Sequence, residues 1–454
     1  MGVEQMTVHD HSPKSRVQPA SAKTSSSAEL TNIPGVMRAS DLFKIKLAAN
    51  DGPERWIEKI NGTVAERLDA HIHFTNPYKM EQESKQIYED LLKLRPIERE
   101  WQPLYQLYVS YGLLNYLTDI AKEQTISQEL LERAYASFLF YLVEEAGEAA
   151  EEIGIHALPF QFDPYIHFLR EDAVSLLSSD KLLFFNQRID LYRQLWTSLF
   201  KREAWRKEER RRLQSLLIEK KNATALSAGY LHQLYLANDL EGFRTAAKRM
   251  PAIGIELYVA WMSDSIRLKQ PDKARLLVKT IDQHLESYLH QLANEGTMQV
   301  RRFVHYFLTH IDTEWLADQE PSLYQSLLEK MLPYSYTDLS LYLLQSHRYE
   351  EWAELALWMD SDLAELEREG LKEAAKAAPA EVLPIYHHGI VRLINERNRP
   401  GYKKAVRYLK KLRTLYKKLK QLDRWELYLH QLLEEHKRLR AFQEECRKGQ
   451  LIHA

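Results

Sequence analysis

The chain has 454 residues, of which 15 are glycine, about 3 % against a usual ~7 %, and this composition favours helix over most of its length. The formal net charge is −2, and Cys446 is the single cysteine, which excludes an intrachain disulfide and a zinc site built from several cysteines. Apolar stretches such as Phe138–Val143 are far shorter than the ~20 residues that cross a bilayer, and the N-terminus lacks the apolar core of a signal peptide. We therefore expect a cytoplasmic protein that does not enter the membrane.

A polar segment opens the chain. Residues 1–28 contain too few apolar side chains to offset the entropy lost on ordering, so we expect a disordered tail. A first helix is predicted to begin at Ser40. Beyond it, periodic apolar residues bounded by Gly-Pro and Asn-Pro pairs predict four helices. Their predicted ranges are Glu54–His73, Tyr78–Lys93, Trp101–Ala121 and Ile126–Glu152.

A proline-containing connector, Leu158–Pro164, precedes two further predicted helices, Tyr165–Leu177 and Leu182–Phe200. The second is expected to run on into the strongly charged segment FKREAWRKEERRRLQSLLIEKK. Acidic residues lie among the basic ones there, which is typical of a solvated helix face.

From Ala225 the sequence predicts pairs of helices, with turns at Asn238–Asp239, at Gln270–Asp272 and at His347. The turn spacings fit repeating units of about 34–40 residues. The predicted fold is therefore all-α: an irregular array of helical hairpins, a tetratricopeptide-like α-α superhelix, that ends in a basic helical hairpin. The predicted domains are a disordered tail (1–28), the array (29–395) and the basic hairpin packed on it (396–454).

The first helix of the basic hairpin separates apolar and charged residues by position. Its apolar residues recur at spacings of three and four, which predicts a buried stripe. They are Tyr402, Ala405, Leu409, Leu412, Tyr416 and Leu419. Lysines and arginines occupy the other positions, and no acidic residue occurs between positions 401 and 420, so this segment carries a net charge of +9.

The second helix of the hairpin has its own start signal. Asp423 and Glu426 have the spacing of a capping box, and Gly449 is a plausible stop. One continuous helix is predicted between them. Its apolar stripe is Trp425, Leu429, Leu432, Leu439 and Phe442, with His436 on the same seam.

The charge is divided along the chain. Residues 396–448 contain 17 Lys and Arg against 7 Asp and Glu, giving +10, and the remainder carries −12. Three accounts of the basic face stay open: solvation with screening by salt, docking on the acidic body, and contact with phosphates or an acidic partner. The residues predicted to make such a contact are Lys403, Lys404, Arg407, Lys410, Lys411, Lys417 and Lys418.

Other combinations give weaker indications of chemistry. Glu145 and Glu148 stand as E-x-x-E, which resembles the first half of the all-α nucleotide pyrophosphohydrolase motif, but no matching E-x-x-D follows. Glu286 with His290, the adjacent pair at 387 and 388 in a predicted loop, and His71 with His73 are isolated features without metal-ligand spacing. Four tyrosines allow a stacking surface for single-stranded nucleic acid, with core packing as the alternative. They are Tyr105, Tyr108, Tyr111 and Tyr116.

The basic hairpin resembles the C-terminal region of bacterial SWIM zinc-finger family proteins. The resemblance is carried by RPGYKKAV (Arg399–Val406), LKKLRTLYKKLK (Leu409–Lys420), Trp425 with Tyr428, and HKRLRAFQEE (His436–Glu445). That family is defined by a C-x-C…C-x-H zinc site ahead of its helical region. No cysteine precedes Cys446 here, so no zinc ligand carries over, and the polar tail resembles the linker that follows such a finger. The resemblance implies a truncated, split or divergent member that begins downstream of the finger.

The sequence therefore predicts a non-enzymatic protein-interaction scaffold with a protein partner. The alternative is a nucleic-acid-associated accessory protein that binds through the basic hairpin. No catalytic residue, metal ligand or cofactor is predicted.

Overall fold

The computed structural model describes residues 51–68, 76–123, 126–155, 160–177, 183–219, 223–249 and 255–452. These residues form 22 α-helices and no β-strand, which confirms the predicted all-α fold. None of these helices is long and apolar enough to span a membrane. The predicted tail of residues 1–28, the helix predicted from Ser40, and His71 and His73 lie outside the described residues.

The chain divides into two compact units, Met1–Trp205 (unit 1) and Arg206–Ala454 (unit 2). The domain boundaries predicted after residues 28 and 395, and the superhelical arrangement of the hairpins, stay predictions. The described part of unit 1 contains α1 (Pro53–Leu68), α2 (Pro77–Lys93), α3 (Gln102–Glu123), α4 (Gln128–Ile155), α5 (Asp163–Asp172) and α6 (Phe185–Gln194). Short 3-10 segments at Arg99–Trp101, Phe160–Phe162 and Ala173–Leu177 and a π turn at Leu195–Leu199 complete it.

The core of unit 1 surrounds Trp56, whose side chain is fully buried. The ring centroids of Tyr165, Tyr105, Tyr108 and Trp101 lie 4.5, 5.2, 5.4 and 6.0 Å from its ring. Most of these rings meet edge to face, which is a favoured geometry for aromatic pairs. Residues from α1, α3 and α5 therefore close one aromatic core.

Burial of these rings decides the role of the tyrosines on α3. Tyr105, Tyr108 and Tyr111 are at most 1 % exposed, and the Tyr108 hydroxyl donates a hydrogen bond to the carbonyl oxygen of Tyr165 at 2.8 Å. The hypothesis that they form a stacking surface is therefore wrong for these three residues, because their ring faces are covered by neighbouring helices. Tyr116 is half-buried and lines a cavity.

The predicted continuation of the helix ending at Phe200 is also wrong. The π turn ends at Leu199, Phe200 has non-helical backbone angles (φ −89°, ψ 60°), and a new helix begins at Glu203. The physical reason is burial: the Phe200 ring is fully buried and lies 5.1 Å from the ring of Trp196 and 6.5 Å from that of Trp205. The chain therefore bends at Phe200 and does not continue as one straight helix. The charged segment that follows is mostly exposed, as expected for a solvated face.

The boundary between the units falls inside α7 (Glu203–Glu219). Unit 2 then continues with α8 (Thr224–Leu236), α9 (Leu240–Ala247), α10 (Ile255–Arg267), α11 (Pro271–Glu295), α12 (Thr297–His310), α13 (Thr313–Gln319), α14 (Pro321–Lys330) and α15 (Tyr336–Gln345). The remaining helices are α16 (Tyr349–Trp358), α17 (Leu363–Glu369), α18 (Leu371–Ala377), α19 (Leu383–Asn395), α20 (Arg399–Lys418), α21 (Leu422–Glu435) and α22 (Arg440–Lys448).

Tight turns connect many of the helices in unit 2, and all three turns predicted between residues 238 and 347 are confirmed. Each places a non-glycine residue in the left-handed region and then starts the next helix. At the first turn, the amide of Asp239 donates to the carbonyl oxygen of Leu234 at 3.0 Å, the bond of a Schellman motif. The left-handed residues are Asn238, Lys269, His347, Asp360, Arg397, Lys420 and Gln450. This recurrent turn without glycine is one physical reason for the low glycine content.

Candidate functional site

The start of the basic helix α20 is held closely against α19. The Asn398 side chain accepts a hydrogen bond from the amide of Gly401 at 2.6 Å, which caps the helix. Pro400 occupies the first turn, where its missing amide proton costs nothing. A Cβ atom at Gly401 would lie 2.7 Å from the carbonyl oxygen of Leu393, so only glycine fits this approach.

The buried side of α20 is wider than the sequence predicts. Tyr402, Ala405, Leu409, Leu412 and Tyr416 of the predicted stripe are buried, whereas Leu419 is half-buried at the helix end. Besides Gly401, three further residues are buried beside this stripe. They are Val406, Tyr408 and Leu415. The lysines and arginines are therefore confined to the remaining arc of the helix.

One side of that arc contacts α17 and α18, and we call its residues the docked cations: Arg407, Lys411 and Lys418. The Lys411 ammonium group pairs with the carboxylate of Glu367 on α17. Arg407 lies 3.8 Å from the same carboxylate. Lys418 donates to the carbonyl oxygen of Lys376 at the end of α18, at 2.6 Å, where the negative end of the helix dipole favours a cation.

The other side carries Lys403, Lys410 and Lys417, which we call the open lysine stripe. Their heptad spacing puts them about 10.5 Å apart along the axis, so the stripe is about 21 Å long. All three are exposed, and none has an ion pair or side-chain hydrogen bond with any residue that the structure describes. Lys404 is also exposed and unpaired within the described ranges. Of the seven predicted contact residues, four are thus open and three are docked.

The prediction of one continuous helix after α20 is wrong. Lys420 adopts a left-handed conformation (φ 58°), and α21 begins at Leu422 with Gln421 as its N-cap, so Asp423 lies inside the first turn and does not cap. At that position its carboxylate still interacts favourably with the positive end of the helix dipole. The helix then ends at Glu435, and α22 begins at Arg440.

Packing against α20 explains this break. Phe442 and Cys446 on α22 are fully buried, and the Phe442 ring lies 5.7 Å from the ring of Tyr402. The Gln443 side chain donates to the carbonyl oxygens of Leu433 and His436, at 3.1 and 3.4 Å, and so satisfies groups freed where α21 ends. The break therefore lets α22 reach α20 with its own apolar face. Burial raises the pKa of the Cys446 thiol to about 12, as expected for an inert cysteine.

The histidine pair that was predicted in a loop lies instead in α19, because Pro384 occupies the first turn of this helix and does not break it. His387 is 2.9 Å from the Tyr416 hydroxyl, its ring centroid is 4.1 Å from that of Tyr428, and burial lowers its pKa. His388 faces outward, and its Nε2 atom lies 2.7 Å from the Asp360 carboxylate. The hydrogen bonds from His388 and Arg392 lower the pKa of the Asp360 carboxyl. The two rings therefore support the hairpin and the α16–α17 turn.

The remaining sequence candidates do not assemble into a site. Glu145 accepts a hydrogen bond from Gln106, and Glu148 is exposed. Glu286 and His290 are both exposed on α11. No group of three or more His, Cys, Asp or Glu within the described residues is arranged to hold a metal ion.

A second cluster of basic residues, which the sequence analysis did not predict, lines a cavity in unit 2. A cavity of about 440 Å³ between α9 and α11 is lined by four cations, Arg244, Lys248, Arg275 and Lys279. Arg275 pairs with Glu320 at 2.7 Å. The available signal was the spacing of four between Arg244 and Lys248, at the end of α9, and between Arg275 and Lys279 on α11, which points each pair to one side. Asp272 also lines this cavity, 3.8 Å from Arg275, so the cluster of cations is partly paired.

Comparison with known proteins finds a relative in Bacillus subtilis. The chain is 26 % identical over 362 residues to the uncharacterized protein YwqB of Bacillus subtilis (strain 168), and the match covers 80 % of this chain and 67 % of that protein. No family model matches the chain, and no solved structure matches it. The resemblance of the hairpin to SWIM zinc-finger proteins stays a prediction.

Proposed function

We propose that this chain is a non-enzymatic interaction scaffold that binds an acidic protein partner through the open lysine stripe. The proposal rests on one observation: the cations on one side of α20 contact neighbouring helices, whereas those on the other side do not. Glu367 pairs with two of the docked cations and backbone carbonyls bind the third, whereas Lys403, Lys410 and Lys417 have no ion pair with any described residue. Because only one side is docked, the other is left as a linear positive surface on a well-anchored helix.

The shape of the stripe suggests the form of the partner. Three ammonium groups at heptad spacing match carboxylates at the same spacing on a second helix packed alongside. Charge complementarity of this kind speeds association and sets the register more than it adds affinity. We therefore propose an acidic helical segment as the partner. A cytoplasmic location and kinship with SWIM zinc-finger proteins belong to the same proposal.

Nucleic acid is the second candidate, and the spacing of the lysines favours it. An interval of about 10.5 Å equals about three nucleotide rises of ~3.4 Å along one strand. The rings of Tyr402, Tyr408 and Tyr416 are buried, so α20 offers no surface for base stacking. Binding would then rest on phosphate contacts alone and would carry little sequence preference.

One titration compares the two candidates. The probes are a labelled helical peptide with glutamates at heptad spacing and a labelled DNA of about 20 nucleotides, single- and double-stranded, at about 50 and 200 mM salt. Fluorescence anisotropy measures binding to the wild type and to the stripe variant Lys403→Glu/Lys410→Glu/Lys417→Glu. The matched control has the same charge change at exposed lysines elsewhere, Lys59→Glu/Lys79→Glu/Lys372→Glu.

The scaffold proposal predicts that the peptide binds the wild type and the control but not the stripe variant. If DNA shows this pattern instead, the second candidate is correct, with log K falling against log salt at a slope of about −2 to −3 for three phosphates. Equal binding by the stripe variant and the control would contradict both candidates, as would a wild type that binds neither probe at the lower salt.

A further inference from the structure

A cavity of about 300 Å³ lies within unit 1 between α1, α3, α5 and α6. Its volume is at the lower end of the range for small-molecule sites, roughly 300–1,000 Å³. Its lining mixes apolar side chains, such as Ile57 and Phe168, with several polar ones. The polar residues that matter below are Asn115, Asp172, Ser175 and Arg188.

Arg188 is the unusual member of this lining. Its side chain is only 1 % exposed, and its Nε and Nη2 atoms are buried without a hydrogen-bond partner among the described residues. Burial lowers its pKa to about 10, against an opposing influence of Asp119, so the guanidinium stays charged at neutral pH. A buried charge that lacks hydrogen bonds is strongly unfavourable unless something supplies them.

The sequence places this arginine in a core position of α6. Phe185, Arg188, Ile189 and Tyr192 are three, one and three positions apart, which puts them on one face of the helix, and all four are buried. Arg193 on the same helix provides a contrast, because it pairs with Asp190 at 2.7 Å. Arg188 has no such ion pair among the described residues, and Asp119 in the cavity wall acts on it only at longer range.

The cavity also offers an acceptor for a second polar group. Asp172 receives the Tyr111 hydroxyl on its Oδ2 atom at 2.6 Å, and the Ser175 hydroxyl approaches the same atom at 3.5 Å. Its Oδ1 atom accepts no hydrogen bond from a described residue. Asn115 donates to Ser175 at 3.4 Å, a long bond that a ligand group can replace.

We propose that this cavity binds a small molecule that carries a carboxylate or phosphate group, with Arg188 holding that group and Asp172 and Asn115 holding a hydroxyl or amine of the same molecule. The planar guanidinium suits both anions because its parallel N–H groups bind two oxygens at once. Such a ligand supplies the partners that the buried arginine lacks. This site is separate in chemistry and in sequence from the open lysine stripe.

The test uses the full chain and four anionic probes. Inorganic phosphate and glycerol 3-phosphate represent one source of the anion, succinate and L-glutamate the other, and glycerol is the neutral control. Calorimetry and thermal unfolding follow the wild type, Arg188→Met and the matched control Arg193→Met. All are repeated in the Lys403→Glu/Lys410→Glu/Lys417→Glu background, so that binding to surface lysines does not count.

We expect at least one anionic probe to bind the wild type and the Arg193→Met control, and to bind Arg188→Met at least tenfold more weakly. The ligand-free Arg188→Met protein should unfold at a higher temperature than the wild type, because the variant removes a buried charge that lacks hydrogen bonds. If this variant does not fold, Arg188→Lys decides, since it keeps the charge but loses the two-pronged geometry. Absence of binding to all four anions at millimolar concentration overturns the proposal, and so does wild-type affinity in the Arg188 variant that folds.

Discussion

The two sides of α20 carry the same kind of residue in different surroundings. On one side, Lys411 shares the Glu367 carboxylate with Arg407, which ties α20 to α17. On the other, Lys403 and Lys410 are exposed and form no ion pair in the described part of the chain. A cation that has an internal partner contributes to folding, whereas an unpaired one is left for an external partner. Net charge alone does not separate these two roles.

The largest loss of stability is expected from a substitution in α21, the helix that supports both sides of α20. Trp425 on α21 is 3 % exposed, and its ring lies 6.3 Å from that of Tyr416 on α20. We expect Trp425→Ala to destabilise unit 2 by about 3–5 kcal/mol in urea unfolding followed by circular dichroism, since it empties a large buried site. Leu427→Ala on the same helix is the control, because Leu427 is 61 % exposed.

A loss below about 1 kcal/mol for Trp425→Ala would show that α21 does not support α20. The two sides of α20 would then not share one rigid base, and the contrast between docked and open cations would lose its structural basis.

An intermediate effect is expected on the docked side. Glu367→Gln keeps the shape of the side chain but removes the charge that Arg407 and Lys411 share. Because Glu367 is largely buried while its partners are partly exposed, we expect a loss of about 1–2 kcal/mol, between an exposed ion pair and a buried charged hydrogen bond. The control is Glu444→Gln, which removes an exposed partner of Arg399 and should cost less than about 0.5 kcal/mol. Equal costs for the two variants would contradict the distinction between the docked and open sides.

Local patterns predicted most of the fold. Apolar periodicity and turn residues fall within a few positions of one another, so the turn at His347 and the buried stripe from Tyr402 to Tyr416 were visible in the sequence. Distant contacts were not. The break before Arg440 depends on Phe442 packing against Tyr402, which lies 40 residues earlier. Such a contact has no periodic signature.

The same limit applies to the candidate sites. Nothing in the sequence of α20 indicates that Lys411 is docked and Lys410 open, because Glu367 is 44 residues away. Arg188 was visible as a charged residue on an apolar helix face, and that signal was missed. Its cavity was not visible, because four helices must pack before the space between them exists.

The smallest effect is expected on the open side, and its sign is informative. Lys403→Gln/Lys410→Gln/Lys417→Gln removes three charges that have no internal partner, so no favourable contact is lost. It also relieves repulsion within a segment of net charge +9, so stability should stay within about 0.5 kcal/mol of the wild type or rise slightly. The single variant Lys411→Gln should cost more than all three together, because it breaks the contact with Glu367. Urea unfolding at low and high salt provides the measurement: any gain in the triple variant should shrink as salt screens the repulsion. A triple variant that loses more stability than Lys411→Gln would mean that the open lysines hold the fold together, and the stripe would then not be available to a partner.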